Sequence, residues 1–444
     1  MTKNELLSVL EQKKFKALQE VLSCYNPVDI SNLLSELDNE QLVLVFRMIK
    51  KDKAAEVFSY MDSDMQHILV KTLAKQEVTS LIDSMFADDA ADLLGDMPAN
   101  VVTQLLENVD NKTRAGINNL LKYPEDSAGS IMTVEFIELH TNMTVREALD
   151  KIRRVGIDSE TVYTCYVTEK RKLIGIISAK DLMLNTDDTK INQLMKENFI
   201  SINTTDDREE AAKLFRKYGL IAIPVLDSEG CIVGIVTFDD AIGVLTDETT
   251  EDMQKMAAIE ASDEPYLKTS VWSHAKHRIP WLLILMLSAT ITGNIITNYE
   301  NAFKALPILV AFIPMLMDTG GNCGSQSSTL IIRGLAVDEI HFSDTFNIVW
   351  KEFRVALIVG AVLAFVNGVK IFIFYKNIQL AILIALSLTG TILIAKMVGC
   401  ILPVFAKFCR LDPAIMAAPI ITTIVDTLSI IIYFNIATAM FNFI

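Results

Sequence analysis

At 444 residues the chain is long enough for about three domains, and its charge is unevenly split: up to Ser270 it holds 47 acidic and 29 basic side chains, beyond it only 8 and 11. A soluble portion with a net charge of −18 repels phosphate backbones, which excludes nucleic acid as a partner and favours cations. The six cysteines (Cys24, Cys165, Cys231, Cys323, Cys400, Cys409) show neither CxxC pairs nor zinc spacing, which argues against a disulfide framework and fits a reducing compartment for the soluble part.

The N-terminal residues MTKNELLSVLEQKKFKALQE lack the apolar stretch of a signal peptide, so the N-terminal region is expected to stay in the cytosol. An apolar pair then recurs every twelve residues, from Val9-Leu10 through Leu33-Leu34 and Leu69-Val70 to Leu105-Leu106. A further apolar residue four positions after the first of each pair completes a helical stripe, broken only by Lys13. Twelve residues allow a helix of about two turns and a connector, too short to be stable alone, so residues 1–125 are predicted to stack into an α-helical superhelix. Within it Asp88, Asp92 and Asp96 recur every four residues and share a face; Asp88 and Asp89 also suit a helix N-terminus.

Residues 126–246 hold a second duplication. IMTVEFIELHTNMTVREAL at Ile131 matches LMKENFISINTTDDREEAA at Leu194, and LIGIISAKDL at Leu173 matches IVGIVTFDDA at Ile232. Each half reads as strand, helix, paired strands and helix, a pattern that resembles a tandem pair of α/β CBS domains. Ser178 with Asp181, and Thr237 with Asp240, fall where that family contacts adenosine ribose and phosphate, which makes ATP a candidate modulator. Both pairs also read as helix caps. Asp247 to Ser270 reads as an acidic connecting helix that any motion between the soluble part and the rest must cross.

From residue 271 the composition changes class. Five apolar stretches (Pro280–Tyr299, Ala305–Ile332, Val355–Tyr375, Ile378–Phe405, Pro413–Ile444) each reach the roughly 20 residues that span a bilayer. Lys268, Lys276, Arg278, Arg333, Lys351, Arg354, Lys407 and Arg410 fall in alternate loops, against Lys304 and Lys376 in the others. This predicts a multi-pass protein of the cell membrane with a cytosolic N-terminus and an extracytosolic C-terminus.

The second stretch carries DTGGNCGSQSSTLIIRGLA from Asp318 to Ala336, a polar run that is costly in hydrocarbon unless it faces protein or water. Its glycines can open the backbone or let helices approach; Asn, Ser, Thr and Gln offer oxygen ligands. Asp426 is the only acid between Pro413 and the C-terminus, and an acid so deep reads as a pathway residue. No histidine lies in the spans, which argues against a soft-metal site, whereas a hydrated Mg²⁺ held by one or two carboxylates suits these donors.

The motif, the acid of the last span, the CBS pair and the helical N-terminal domain together resemble the MgtE family of bacterial magnesium transporters, in the same order along essentially the whole chain. The resemblance implies a homodimer in the bilayer with the pore between two copies of the second and fifth helices. It implies Mg²⁺ as substrate and regulator, Asp426 as the central carboxylate, and Asn322, Ser325 and Thr329 along the path beside Gly320 and Gly321. It also implies a cytosolic Mg²⁺ sensor among the acids Asp88, Asp89, Asp92, Asp96, Asp239, Asp240, Asp247, Glu248, Glu251 and Asp252, which closes the pore when cations draw these surfaces together. The alternatives are a proton- or ion-coupled divalent cation exporter of the same architecture, and a membrane-anchored nucleotide receptor whose helices serve only as an anchor. A P-loop is absent, so direct ATP-driven pumping is not expected, and no nucleophile–base pair suggests an enzyme.

Overall fold

The computed structural model describes residues 3–12, 14–262, 266–267, 269–299 and 306–441; Lys13, Lys268 and Lys304 lie outside the described residues. The chain forms two compact units, Met1–Leu245 and Thr246–Ile444.

The first unit opens with ten helices: α1 (Lys3–Glu11), α2 (Phe15–Cys24), α3 (Pro27–Ser35), α4 (Asn39–Phe46), α5 (Lys51–Ser59), α6 (Ser63–Thr72), α7 (Lys75–Ile82), α8 (Ala87–Gly95), α9 (Ala99–Leu106) and α10 (Asn111–Leu120). From α2 onward they start at twelve-residue intervals, as the sequence period requires. Asp38, Asp62 and Asp110 cap α4, α6 and α10 by accepting from the first-turn amides of Gln41, Met65 and Lys112. Alternate helices pack together, α3 on α5, α5 on α7, α7 on α9, and α4 on α6. The paired apolar residues (Leu34, Val45, Phe46, Val57, Phe58, Leu69, Leu81, Leu93, Leu94) form the buried spine of this stack.

Two α/β halves follow. In the first, β1 (Glu138–His140), α11 (Val145–Val155), β2 (Thr164–Glu169), β3 (Lys172–Ser178) and α12 (Ala179–Leu184) give a sheet of order β1-β2-β3. The second repeats it with β4 (Ile202–Asn203), α13 (Arg208–Tyr218), β5 (Ala222–Leu226), β6 (Ile232–Thr237) and α14 (Phe238–Met256). In both, the first pairing is parallel and the second antiparallel. The halves are laced together by reciprocal bridges, Thr133 to Ile235 and Lys196 to Ile176. The second half shares one core with the helical stack, in which Leu94 and Ile117 join Ala212, Phe215 and Val236.

The acidic connecting helix starts earlier and stops earlier than its composition suggests. α14 runs without a break from Phe238 to Met256, so Asp239 and Asp247 lie on one helix, and the chain leaves helical geometry at Ala257. Ala258 takes a positive φ of 55° there, and the Gln254 side chain ties off the end by bonding both the amide and the carbonyl of Ser262. That end cap replaces the continuation to Ser270 expected from the acids alone.

The second unit contains α15 (Val271–Asn298), α16 (Ile313–Ala336), α17 (Thr345–Tyr375), α18 (Ile378–Phe408) and α19 (Ala418–Phe441). Four of these segments are long and apolar enough to cross a membrane. The fifth, α16, is interrupted in hydropathy by its polar run but is continuous as a helix. α15 starts nine residues before Pro280, which it holds inside its body. α16 packs on α18 and α19, α17 on α18, and α15 on α19. Tyr433 fixes one end of α19 by donating to the Leu309 carbonyl at 2.9 Å.

Candidate functional site

Two places gather the residues singled out by sequence. The first is α16 against α19. Asp318, Asn322, Ser325 and Thr329 are spaced by four, three and four residues, so they share one face of α16. Asp318, Asn322 and Thr329 are exposed in the single chain and Ser325 is half-buried. Asp426, half-buried on α19, lies within electrostatic range of Asp318. The opposite face of α16 is buried.

Gly320 and Gly321 lie on that packed side. A Cβ on Gly320 would lie 2.7 Å from Thr391 Cγ2 and 2.8 Å from Val425 Cγ1, and one on Gly321 2.9 Å from Thr422 Cγ2. The helix is unbroken here, so these glycines serve close helix approach and not backbone opening. Gly324 continues the contact against Ile421, and a Cβ on Gly399 of α18 would collide with the Gly324 carbonyl.

The donors on this face are all oxygens. Cys323 is turned away and buried. Among the described residues no three His, Cys, Asp or Glu side chains converge on a point where they could hold a metal ion directly. An open face of hydroxyl, amide and carboxylate oxygens suits a hard cation that keeps its water shell.

The second place lies within the first unit, where α8 and the first turn of α14 carry acids toward each other. Asp88 and Asp89 are half-buried and Asp92 is more open. Burial, then the charges of Asp89, Asp240 and Glu160, push the Asp88 carboxyl well above the usual carboxylate range. Asp89 is raised to about 6 by burial and by Asp240, and Asp92 to about 6 by burial and by Asp89. Asp240 is raised by burial and by Asp239, against the lowering effect of the Thr237 hydroxyl. Asp88 Oδ1 is shut off from solvent with no hydrogen-bond partner among the described residues.

Glu160 and Glu135, which the sequence reading passed over, complete this acid face. Glu160 is pushed to about 7 by burial and by Asp240 and Asp239, and its amide donates to the Glu135 carbonyl at 2.8 Å. Neither sits in a local pattern; pairing of distant loops brings them in. Asp96 is tied by Ser63, which donates to its Oδ2 at 3.0 Å. Asp247, Glu248, Glu251 and Asp252 follow on α14, and Glu251 is ion-paired with Lys255. Lys255 also bonds Asp412, at 2.7 Å, in the turn before α19.

Ser178 behaves as a helix cap, and Thr237 bonds the acid three residues on. The Ser178 hydroxyl accepts from the Asp181 amide at 3.1 Å and donates to its carboxylate at 2.7 Å; the Thr237 hydroxyl donates to Asp240 Oδ2.

Known proteins share this order of domains. Residues 25–126 match the MgtE intracellular N domain, residues 128–186 and 191–247 the CBS domain, and residues 313–436 the divalent cation transporter domain of MgtE. The magnesium transporter MgtE of Thermus thermophilus is 34% identical over 97% of this chain and 97% of its own. That of Bacillus subtilis is 32% identical over 100% of this chain and 99% of its own.

The chain belongs to the MgtE family.

Solved structures agree over the soluble unit. The cytosolic domain of the Mg²⁺ channel MgtE in complex with ATP superimposes with a TM-score of 0.52 at 35% identity, covering 55% of this chain and 99% of that one. The soluble part of a magnesium transporter gives 0.53 at 28% identity, covering 55% and 97%. MgtE membership accounts for the order helical stack, CBS pair and helical membrane unit.

Proposed function

We propose that this protein carries Mg²⁺ across the cell membrane between two copies of the chain, with the N-terminal unit in the cytosol and the C-terminus outside. The observation that carries the reading is the exposed polar face of α16 beside Asp426. Asp318, Asn322, Ser325 and Thr329 cannot face hydrocarbon at tolerable cost, so a second copy or a water-filled space must cover them. A two-fold axis along that face would bring two Asp426 carboxylates to one path, where hydroxyl and amide oxygens accept from the waters of a hydrated ion.

The acid face around Asp88, Asp89, Asp240 and Glu160 supports regulation by the same ion. With little Mg²⁺ these carboxylates repel; cations between them favour a compact arrangement of the helical stack and CBS pair. Because Asp240 belongs to α14, the element that leads on toward the membrane helices, a change at the acid face reaches the helix that carries Glu251 and Lys255. ATP is read as a modulator at Thr237 and Asp240, since a related cytosolic domain was solved with it.

Cross-linking tests the two-copy path. In a chain with the exposed Cys24 and Cys409 replaced by Ser, Asn322→Cys or Thr329→Cys should yield a disulfide-linked dimer under mild oxidation in membranes. Cysteine at the α15 position Leu287, which is exposed, should yield none. Linking through Leu287→Cys and not through α16 would reject the arrangement.

A further inference from the structure

Behind the polar face of α16 lies a buried ionic group that the transport reading does not use. Ser327 of α16 donates to Glu352 Oε2 of α17 at 2.6 Å, and Lys396 Nζ of α18 donates to the Ser327 hydroxyl at 3.1 Å. Lys396 and Glu352 face each other at 3.5 Å. Ser327 is 1% exposed, Lys396 5% and Glu352 9%. Three helices meet through one hydroxyl, with one positive and one negative charge.

At about 100° per residue, Ser327 points roughly 140–160° away from Asn322, Ser325 and Thr329. It is therefore the rear anchor of the helix whose front carries the path residues. The glycine contacts around it bring α16 close to α18 and α19, but a glycine seam lacks the side-chain ridges that fix how a helix is rotated. Hydrogen bonds to Ser327 are directional, and they hold where the seam alone would let α16 turn. The ion pair is also balanced, so it adds no net charge beside a cation path, whereas either partner alone would leave a buried charge without compensation.

We infer that Lys396, Ser327 and Glu352 are positioning residues for transport: together they set the rotation of α16 and so aim Asn322, Ser325 and Thr329 at the ion. This rests on the reading of that face as the path. A purely structural ion pair would lower stability when broken, with flux falling only in proportion to folded protein.

Mg²⁺ uptake into proteoliposomes by the full chain, measured across Mg²⁺ concentrations and beside thermal unfolding in detergent, separates the two. Ser327→Ala keeps both charges and removes the bridge; Lys396→Met with Glu352→Gln removes both charges and keeps the volume. Each is expected to unfold within a few degrees of the wild type, yet to show at least a fivefold loss of maximal flux or a similar rise in half-saturating Mg²⁺. Lys396→Arg, which keeps a donor and a charge, should retain more than half the flux. Should single-charge variants such as Lys396→Met fail to fold, the two folded variants still decide. Wild-type maximal flux and half-saturation in both would overturn the inference, as would losses that track the folded fraction alone. Asp426→Ala runs alongside: normal flux there would reject the path itself, whereas a dead Asp426→Ala with normal clamp variants would reject only the clamp.

Discussion

The acid face of the soluble unit should behave as a proton- and cation-dependent spring, with a size that follows from its carboxylates. Asp89 is raised from 3.8 to about 6 and Glu160 from 4.5 to about 7. A carboxyl whose pKa is higher in the folded state binds its proton more tightly there, so folding is penalised as it ionises. The penalty is nearly absent below about pH 4, grows as pH rises through the folded pKa values of about 6 and 7, and is complete above about pH 8. Between pH 5 and 8 the shifts of these two groups correspond to about 4 kcal/mol, which their partial exposure reduces to about 2 kcal/mol. For a unit of this size that is a fall in Tm of about 4–8 °C. The assay is thermal unfolding of the fragment Met1–Leu245 at several pH values, with Asp89→Asn/Glu160→Gln for comparison. The wild type should lose those degrees relative to the double variant as pH rises, and millimolar Mg²⁺ at pH 8 should restore them in the wild type only. Parallel curves for the two proteins, with and without Mg²⁺, would refute the reasoning.

Three further outcomes follow from individual contacts. Asp412→Asn removes the partner that Lys255 finds in the turn before α19; with both side chains nearly a third exposed, the loss is about 0.5–1 kcal/mol, seen as faster amide exchange over Thr246–Met256. Gly399→Ala drives a methyl into the Gly324 carbonyl, and the overpacking should cost about 1–3 kcal/mol, read as a lower unfolding temperature in detergent together with reduced Mg²⁺ uptake. Asp240→Ala should weaken ATP binding measured by calorimetry several-fold; unchanged binding would leave Thr237 and Asp240 as a helix cap alone.

The sequence was most legible where a short-range period controls the structure. The helical stack was visible because each helix restarts after twelve residues and, from α2 onward, buries at least one residue of its apolar pair. The α/β halves were visible as a duplication, and the membrane helices as apolar length. α16 is less apolar on average than the other four because of its polar run, yet that run is what singles it out. Composition misled at α14: the acids from Asp247 onward look like a separate linker, while the helix starts at Phe238, directly after β6, and ends before Ala258. Glu135 and Glu160 were illegible because loop pairing, not spacing, delivers them to Asp89 and Asp240. Lys396 and Glu352 were passed over for the same reason, each a lone charge until α17 and α18 pack on Ser327. The glycines left two readings open, backbone opening or close helix approach, because the neighbours that decide it, Thr391, Val425 and Thr422, come from other helices.

In the proposed mechanism Mg²⁺ crosses along the face of α16 under the control of Asp426. Its most direct test is Mg²⁺ influx into liposomes containing the full chain, wild type against Asp426→Asn, at low internal Mg²⁺ so that regulation does not intervene. The substitution keeps the side chain's size and removes the deep charge, so influx should fall at least tenfold while the protein elutes and unfolds as the wild type does. Wild-type influx through Asp426→Asn would contradict the account.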